Sequence, residues 1–134
     1  MTPKFSLQPV LDYRHNRVEI LEVELSRLLQ AQQRGQTFLE TLKESQARLF
    51  EQLNQCQQGE IDLFLLARLR STLKVVNERI QRQQERLRQL AEQVQSKRQE
   101  VVAAHQDEEV LLTLKNHEVE RYQQEQARQE NRLQ

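Results

Sequence analysis

Apolar residues recur along this chain in steps of three and four. From residue 66 the positions are Leu66, Leu69, Leu73, Val76, Ile80, Gln83, Leu87, Leu90, Val94, Lys97, Val101 and Ala104, ten of the twelve apolar. Most residues between them are Arg, Gln, Glu or Ser. A 3.5-residue apolar repeat keeps one narrow stripe turned toward a partner helix, which predicts a coiled coil rather than a helix on a globular core. Neither Gly nor Pro occurs after Gly59, so nothing local stops this helix.

The partner helix stands earlier in the chain. The same spacing picks out Leu11, Arg14, Val18, Leu21, Leu25, Leu28, Gln32, Gly35, Leu39, Leu42, Gln46, Leu49, Leu53 and Cys56, ten of the fourteen apolar with Cys56 counted. This predicts a first helix over residues 7–57, roughly 75 Å at 1.5 Å per residue. Gln32 and Gly35 interrupt its stripe. They read as a weak spot that limits register slip or permits bending, with a functional hinge as the alternative. Residues 1–9 read as a short arm. Ser6 is the expected N-cap, Pro9 is tolerated in the first turn, and Phe5 is placed to staple onto Val10.

Residues 57–62 (QQGEID) hold the strong break. Gly59 suits a left-handed position after the first helix, and Asp62 can cap the second. So short a link makes the helices antiparallel neighbours. Folding back there sets Leu25 opposite residues 90–97 and Leu11 opposite residues 104–111. Residues beyond 113 then have no partner within the chain, an overhang of about 20 residues or about 30 Å. The expectation is an all-α fold, a single long antiparallel two-helix coiled-coil hairpin over residues 1–134. Its second helix (62–130) overhangs the first and frays at its C-terminus.

Composition agrees with a thin seam. Hydrophobic residues make up 37% and mean hydropathy is −0.86, too little for a sizeable globular core. So polar a chain also fits disorder, but disordered segments lack sustained periodicity. The formal net charge is zero, so no global field recruits nucleic acid or an anionic membrane. The single cysteine, Cys56, cannot form an internal disulfide and fits a cytoplasmic location. No apolar stretch is long enough for a signal peptide or a membrane span, so membrane insertion is not expected.

Candidate chemistry is sparse. Gly35 and Gly59 alone cannot build a phosphate-cradling loop. His15, His105 and His117 are far apart in sequence and belong to no metal-binding spacing. Cys56, on the seam, reads as a small buried hydrophobe. Neither enzymatic activity, a small-molecule substrate nor a cofactor is expected.

Surfaces carry more information. Ile61, Leu63, Phe64, Leu65 and Leu66 crowd the bend, and a seam accepts only about two of four successive residues. Phe64 and Leu65 therefore either fold over the bend with Phe50 or form an apolar contact patch. Residues 68–98 carry nine basic groups against three acidic, whereas residues 100–125 carry seven acidic against two basic. Arg79, Arg82 and Arg86 share one helical strip. It reads as a solvated face partly paired with glutamates of the first helix, or as a docking surface for an acidic partner. RNA binding is the weaker use, since the strip lacks aromatic residues for base stacking.

The opening Phe5-x-Leu7-Gln8-Pro9-Val10-Leu11-Asp12-Tyr13-Arg14, followed by Glu19 and a Leu-rich helix, resembles the start of the flagellar export protein FliJ and its injectisome counterparts. The second helix is also similar, with Val76-x-x-x-Ile80-x-x-Gln83-x-x-x-Leu87 after a Gly-containing turn. The resemblance covers essentially the whole chain. It implies a cytoplasmic coiled-coil stalk of a type III export apparatus, similar to the gamma-subunit coiled coil of rotary ATPases. Its implied partners are the hexameric export ATPase ring, whose assembly and activity it would promote, the export gate and secretion chaperones. By that analogy the end with both termini enters the ring: Phe5, Leu7, Val10, Leu11, Tyr13 and Arg14 with Val110, Leu112, Val119 and Tyr122. Gate contact in the family involves early helix two, so Thr72 and Val76 join the hairpin-end residues Phe64 and Leu65 as a second candidate partner surface. Thr72 departs from the family there, standing where an aromatic residue is expected. The free chain is expected to be a monomer, or a weak oligomer through its overhang. A coiled-coil spacer or homo-oligomeric tether is the alternative function.

Overall fold

Two helices, α1 (Gln8–Cys56) and α2 (Leu63–Leu133), make up the computed structural model, which describes residues 5–133. The arm residues 1–4, and Gln134, lie outside the described residues. The helices pack against each other as an all-α hairpin. All fourteen stripe positions of α1 and all twelve of α2 are buried or half-buried. That includes the polar ones, Arg14, Gln32, Gln46, Gln83 and Lys97. The narrow stripe is thus the seam, as a 3.5-residue repeat requires.

α1 begins without the expected cap. The Gln8 N–H donates to the Phe5 carbonyl at 3.0 Å, and the Gln8 side chain donates to Asp12 Oδ1 at 2.9 Å. Backbone and side-chain amides close this turn, and the Ser6 hydroxyl is not used. Phe5 packs with Leu11 and Leu111 across the hairpin rather than onto Val10, which stays exposed. A partner helix offers an apolar side chain more area than the next turn of the same helix does.

The bend follows local chemistry. Gly59 takes a φ of 81°, in the left-handed region where a side chain is strained. Asp62 Oδ1 accepts from the backbone N–H groups of Phe64 (3.0 Å) and Leu65 (3.2 Å), satisfying two orphan donors of α2.

Packing divides into two units, Arg27–Gln95 at the bend, and Met1–Ser26 with Ser96–Gln134 at the termini. In the bend unit the core is Leu39, Leu42, Val76 and Ile80, flanked by Leu49 and Leu87. Its polar seam residues bond across the helices: Gln46 Nε2 donates to Asn77 Oδ1 at 2.7 Å, and Gln83 Nε2 to the Gly35 carbonyl at 3.1 Å. α1 stays helical through Gly35. A Cβ there would sit 2.7 Å from Leu87 Cδ2. Gly35 is therefore a close-approach position, which accounts for it without a hinge or a weak spot.

In the terminal unit one cluster joins Val18, Leu21 and Ala104 with Val101, and a second joins Phe5, Leu11 and Leu111 with Leu112. Lys97, on the seam, donates to Glu24 and pairs with Glu100, each at 2.8 Å. Since Leu11 already meets Leu111, α2 continues past the start of α1. Val119 and Tyr122 are half-buried, and every residue from 123 to 133 is exposed yet helical.

Candidate partner-binding surfaces

At the terminal unit the apolar residues Val110, Leu111, Leu112 and Leu114 are too closely spaced for one heptad stripe, and the helical period sorts them. Leu111 and Leu112 turn to α1, while Val110 (58% exposed) and Leu114 (45%) turn away from it. Ala103, Asp107, Val110 and Leu114 follow one another at three- and four-residue steps, hence along one face of α2. Beside Ala103 and Asp107, α1 contributes Tyr13, Arg14 and Arg17 to a groove of about 330 Å³ floored by Leu21 and Ala104. Further along, Val110 and Leu114 line a shallow depression of about 480 Å³ with Glu109 and His117.

Polar bonds fix the two helices beside that groove. Arg14 Nη1 donates to the Asp107 carbonyl at 2.7 Å. On the other flank, His15 Nδ1 lies 2.8 Å from Glu108 Oε1 and its Nε2 lies 3.0 Å from Glu19 Oε1. The hydrogen bond to Glu108 is the main cause that raises the His15 pKa above its ordinary 6.5, with Glu19 adding to it. His105 Nε2 meets Glu22 Oε1 at 2.8 Å. Lys97 is likewise held charged, first by Glu100 and then by Glu24.

The expected terminal residues divide accordingly. Leu7, Val10 and Tyr13 are exposed, Arg14, Leu112, Val119 and Tyr122 are half-buried, and Phe5 and Leu11 are core. Burial removes Phe5 and Leu11 as contact surface. Arg17, Ala103 and Leu114 were not singled out by sequence. For Leu114 the signal is its place four residues after Val110, one helical turn along the same face. Arg17 and Ala103 gave none, because small and basic residues on a solvated face are unremarkable.

At the bend unit Phe64 is 90% exposed, and Leu63, Ile61, Phe50 and Leu65 are exposed as well. Of the two readings, folding over the bend is not what the structure adopts. Thr72 is exposed, its hydroxyl donating to the Arg68 carbonyl at 2.9 Å. Val76 belongs to the core cluster and is not available to a partner. Arg79, Arg82 and Arg86 are exposed. Arg82 approaches Glu78 on its own helix at 3.9 Å, so the expected pairing with glutamates of α1 is replaced by a weak pair within α2. Cys56 is a half-buried free thiol. Among the described residues no cluster of His, Cys, Asp or Glu could hold a metal, and no helix is long and apolar enough to cross a membrane.

The family model described as the flagellar FliJ protein matches residues 3–134. The chain belongs to the FliJ family. Among solved structures, that of a putative YscO homolog, CT670, from Chlamydia trachomatis is similar to this FliJ-family chain, with a TM-score of 0.52. Sequence identity is 20%, and the match covers 98% of this chain and 90% of the other, which shows a shared fold. No curated protein matches the chain.

Proposed function

We propose that this FliJ-family chain is a non-enzymatic coiled-coil stalk of a flagellar or type III export apparatus, acting in the cytoplasm by binding and regulating a hexameric ATPase. The observation that carries this reading is the uncovered end of α2. Leu111 and Leu112 pack on the first turns of α1, and α2 then runs on to Leu133, with every residue from 123 to 133 exposed, roughly 16 Å of helix. A helix that leaves its hairpin in this way suits insertion into a ring lumen, with Val110, Leu114 and Tyr13 as apolar contacts. The exposed bend residues Phe64 and Leu65, with Thr72 on early α2, are the surface offered to an export gate or secretion chaperone.

The test is kinetic. Adding the protein to a purified export-type ATPase should change its hydrolysis rate or its hexamer fraction, and a chain lacking residues 113–134 should not. An unchanged rate and assembly state at saturating protein would reject the reading. Val119 and Tyr122, which continue the seam beyond α1, favour a second reading as a homo-oligomeric tether. That reading requires association on concentrating the protein, and a monomer throughout sedimentation would exclude it.

A further inference from the structure

We propose that an arginine-lined face of the bend unit, built by Arg34 and Arg48 on α1 and by Arg68, Arg79, Arg82 and Arg86 on α2, receives one acidic amphipathic helix of a protein partner. The inference stands apart from the ATPase reading, which concerns the terminal unit. Packing fixes the face. Leu65 and Leu69 of α2 lie beside Gln52, Gln55 and Cys56 of α1. Further along, Phe38, Val75 and Arg79 each precede a residue of the bend core, Leu39, Val76 and Ile80. Steps of three and four from Leu65 along α2 give Arg68, Thr72, Val75, Arg79, Arg82 and Arg86. The same steps back from Gln52 along α1 give Arg48, Ser45, Thr41, Phe38 and Arg34, and then reach Ala31 and Arg27. The two rows flank one side of the seam.

Three observations set the occupant. First, both rows are cationic and carry no acid. Their seven charged residues are all arginine, and none of the eight acidic residues of 27–95 falls on either row. All seven arginines are exposed. Arg82 comes within 3.9 Å of Glu78, which lies off the rows, and Arg48 donates to the Ser45 hydroxyl at 3.4 Å. Among the described residues the side chains of Arg27, Arg34, Arg68, Arg79 and Arg86 have no hydrogen bond or ion pair. Unpartnered guanidinium forks select carboxylates, which they grip bidentately.

Second, the middle of the face is apolar. Phe38 (49% exposed) and Val75 (45%) stand among the arginines. The Thr41 and Thr72 hydroxyls donate back to carbonyls of their own helices, at 3.1 and 2.9 Å. An apolar centre with charged edges suits a helix that has one apolar stripe and Asp or Glu on both flanks. Two apolar side chains are too few to enter a bilayer, and a phosphate backbone has no use for them. Third, a second copy of this chain offers less acid than its sequence suggests. In the terminal unit Glu100 is spent on Lys97, Glu108 on His15 and Glu22 on His105, each at 2.8 Å.

The experiment uses the full chain and a labelled peptide of about 18 residues, five turns of helix, which matches the run from Arg68 to Arg86. The peptide has Leu at three-four spacing and Glu elsewhere, and its companion has Lys in place of Glu. The Glu peptide should bind, with affinity falling as salt is raised, and the Lys peptide should bind at least about tenfold more weakly. Arg79→Gln with Arg82→Gln should weaken the Glu peptide by about tenfold or more, as should Arg34→Gln with Phe38→Ser from the opposite row. Phe64→Ser at the bend should not. All five residues are exposed, so the variants keep their helicity, which circular dichroism checks. Equal binding of the two peptides, or unchanged affinity in the variant of either row, overturns the proposal. So does tighter binding of a DNA duplex of about 20 base pairs, or of phosphatidylserine vesicles, than of the Glu peptide. Sedimentation showing a dimer that Arg79→Gln with Arg82→Gln abolishes also overturns it, since a second copy would then cover the face. The ATPase test removes residues 113–134 and the peptide test alters the arginine face, so either reading can fail while the other stands.

Discussion

Gln83 Nε2 donates to the Gly35 carbonyl across the hairpin at 3.1 Å, with Gln83 only 8% exposed. Glycine at 35 is what lets the second helix come so near, since a Cβ there would meet Leu87 Cδ2 at 2.7 Å and Gln83 Nε2 at 3.2 Å. Replacing Gln83 by Ala removes a buried hydrogen bond and leaves a void, so the chain should lose about 1–3 kcal/mol in denaturant unfolding. Gln83→Leu should lose much less, because the Gly35 carbonyl lies within a helix and the leucine refills the seam. Gly35→Ala should fall within about 1 kcal/mol of the parent. Its gain in helix propensity offsets the shift of a flexible leucine tip.

Asp62 and Gly59 divide the work of the bend. Asp62→Ala leaves the Phe64 and Leu65 N–H groups without their carboxylate partner and should cost about 1 kcal/mol, while Asp62→Asn or Ser should recover most of it. Gly59→Ala should cost about 1–2 kcal/mol through its φ of 81°, although a side chain there meets nothing within 4 Å. The midpoint of urea unfolding measures both, and the two losses should add within experimental error if they act independently.

His15 gives the terminal unit a pH dependence of known sign. Its pKa is raised above 6.5 in the folded chain, chiefly by the Glu108 hydrogen bond, so the proton is bound more tightly when folded. The stabilisation is therefore fully present below about pH 6.5 and is lost as pH rises through the raised value. The thermal midpoint should fall slightly between about pH 6 and pH 8, less so at high salt, and His15→Gln should flatten that fall. An identical slope in the variant would remove His15 as its source.

Residues 123–133 contribute helix but no packing, since all of them are exposed. A chain ending at 122 should keep its unfolding free energy within about 0.5 kcal/mol, as surface changes do. Leu21→Ala, at a residue 2% exposed, should cost about 2–4 kcal/mol. Calorimetry on the two proteins separates these outcomes.

The seam was legible because one period governs it. Leu39, Val76, Leu21 and Ala104 could be assigned to it by counting alone, and even Arg14 and Lys97 follow the count. Where two partners compete for one side chain, counting failed. Local spacing predicts Phe5 as a staple onto Val10, whereas it packs on Leu111. Gly35 looked like an interruption because sequence does not state how near a second backbone lies. Phe64 could fold either way in principle, since a bend residue has no periodicity to orient it. The groove beside Tyr13 depends on two alanines being opposite an arginine and a tyrosine, a relation between helices that no single-helix pattern contains.

α2 is one element of 71 residues by hydrogen bonding, but its two ends are held by different forces. Up to Tyr122 its amides are backed by side chains that leave solvent, and opening them means parting that helix from its neighbours. Beyond Tyr122 the ladder stands on local propensity alone, where each turn can unwind from the tip inward within microseconds. Amide hydrogen exchange read along this single helix should therefore step from slow to fast near residue 122. A binding partner would register first as the disappearance of that step.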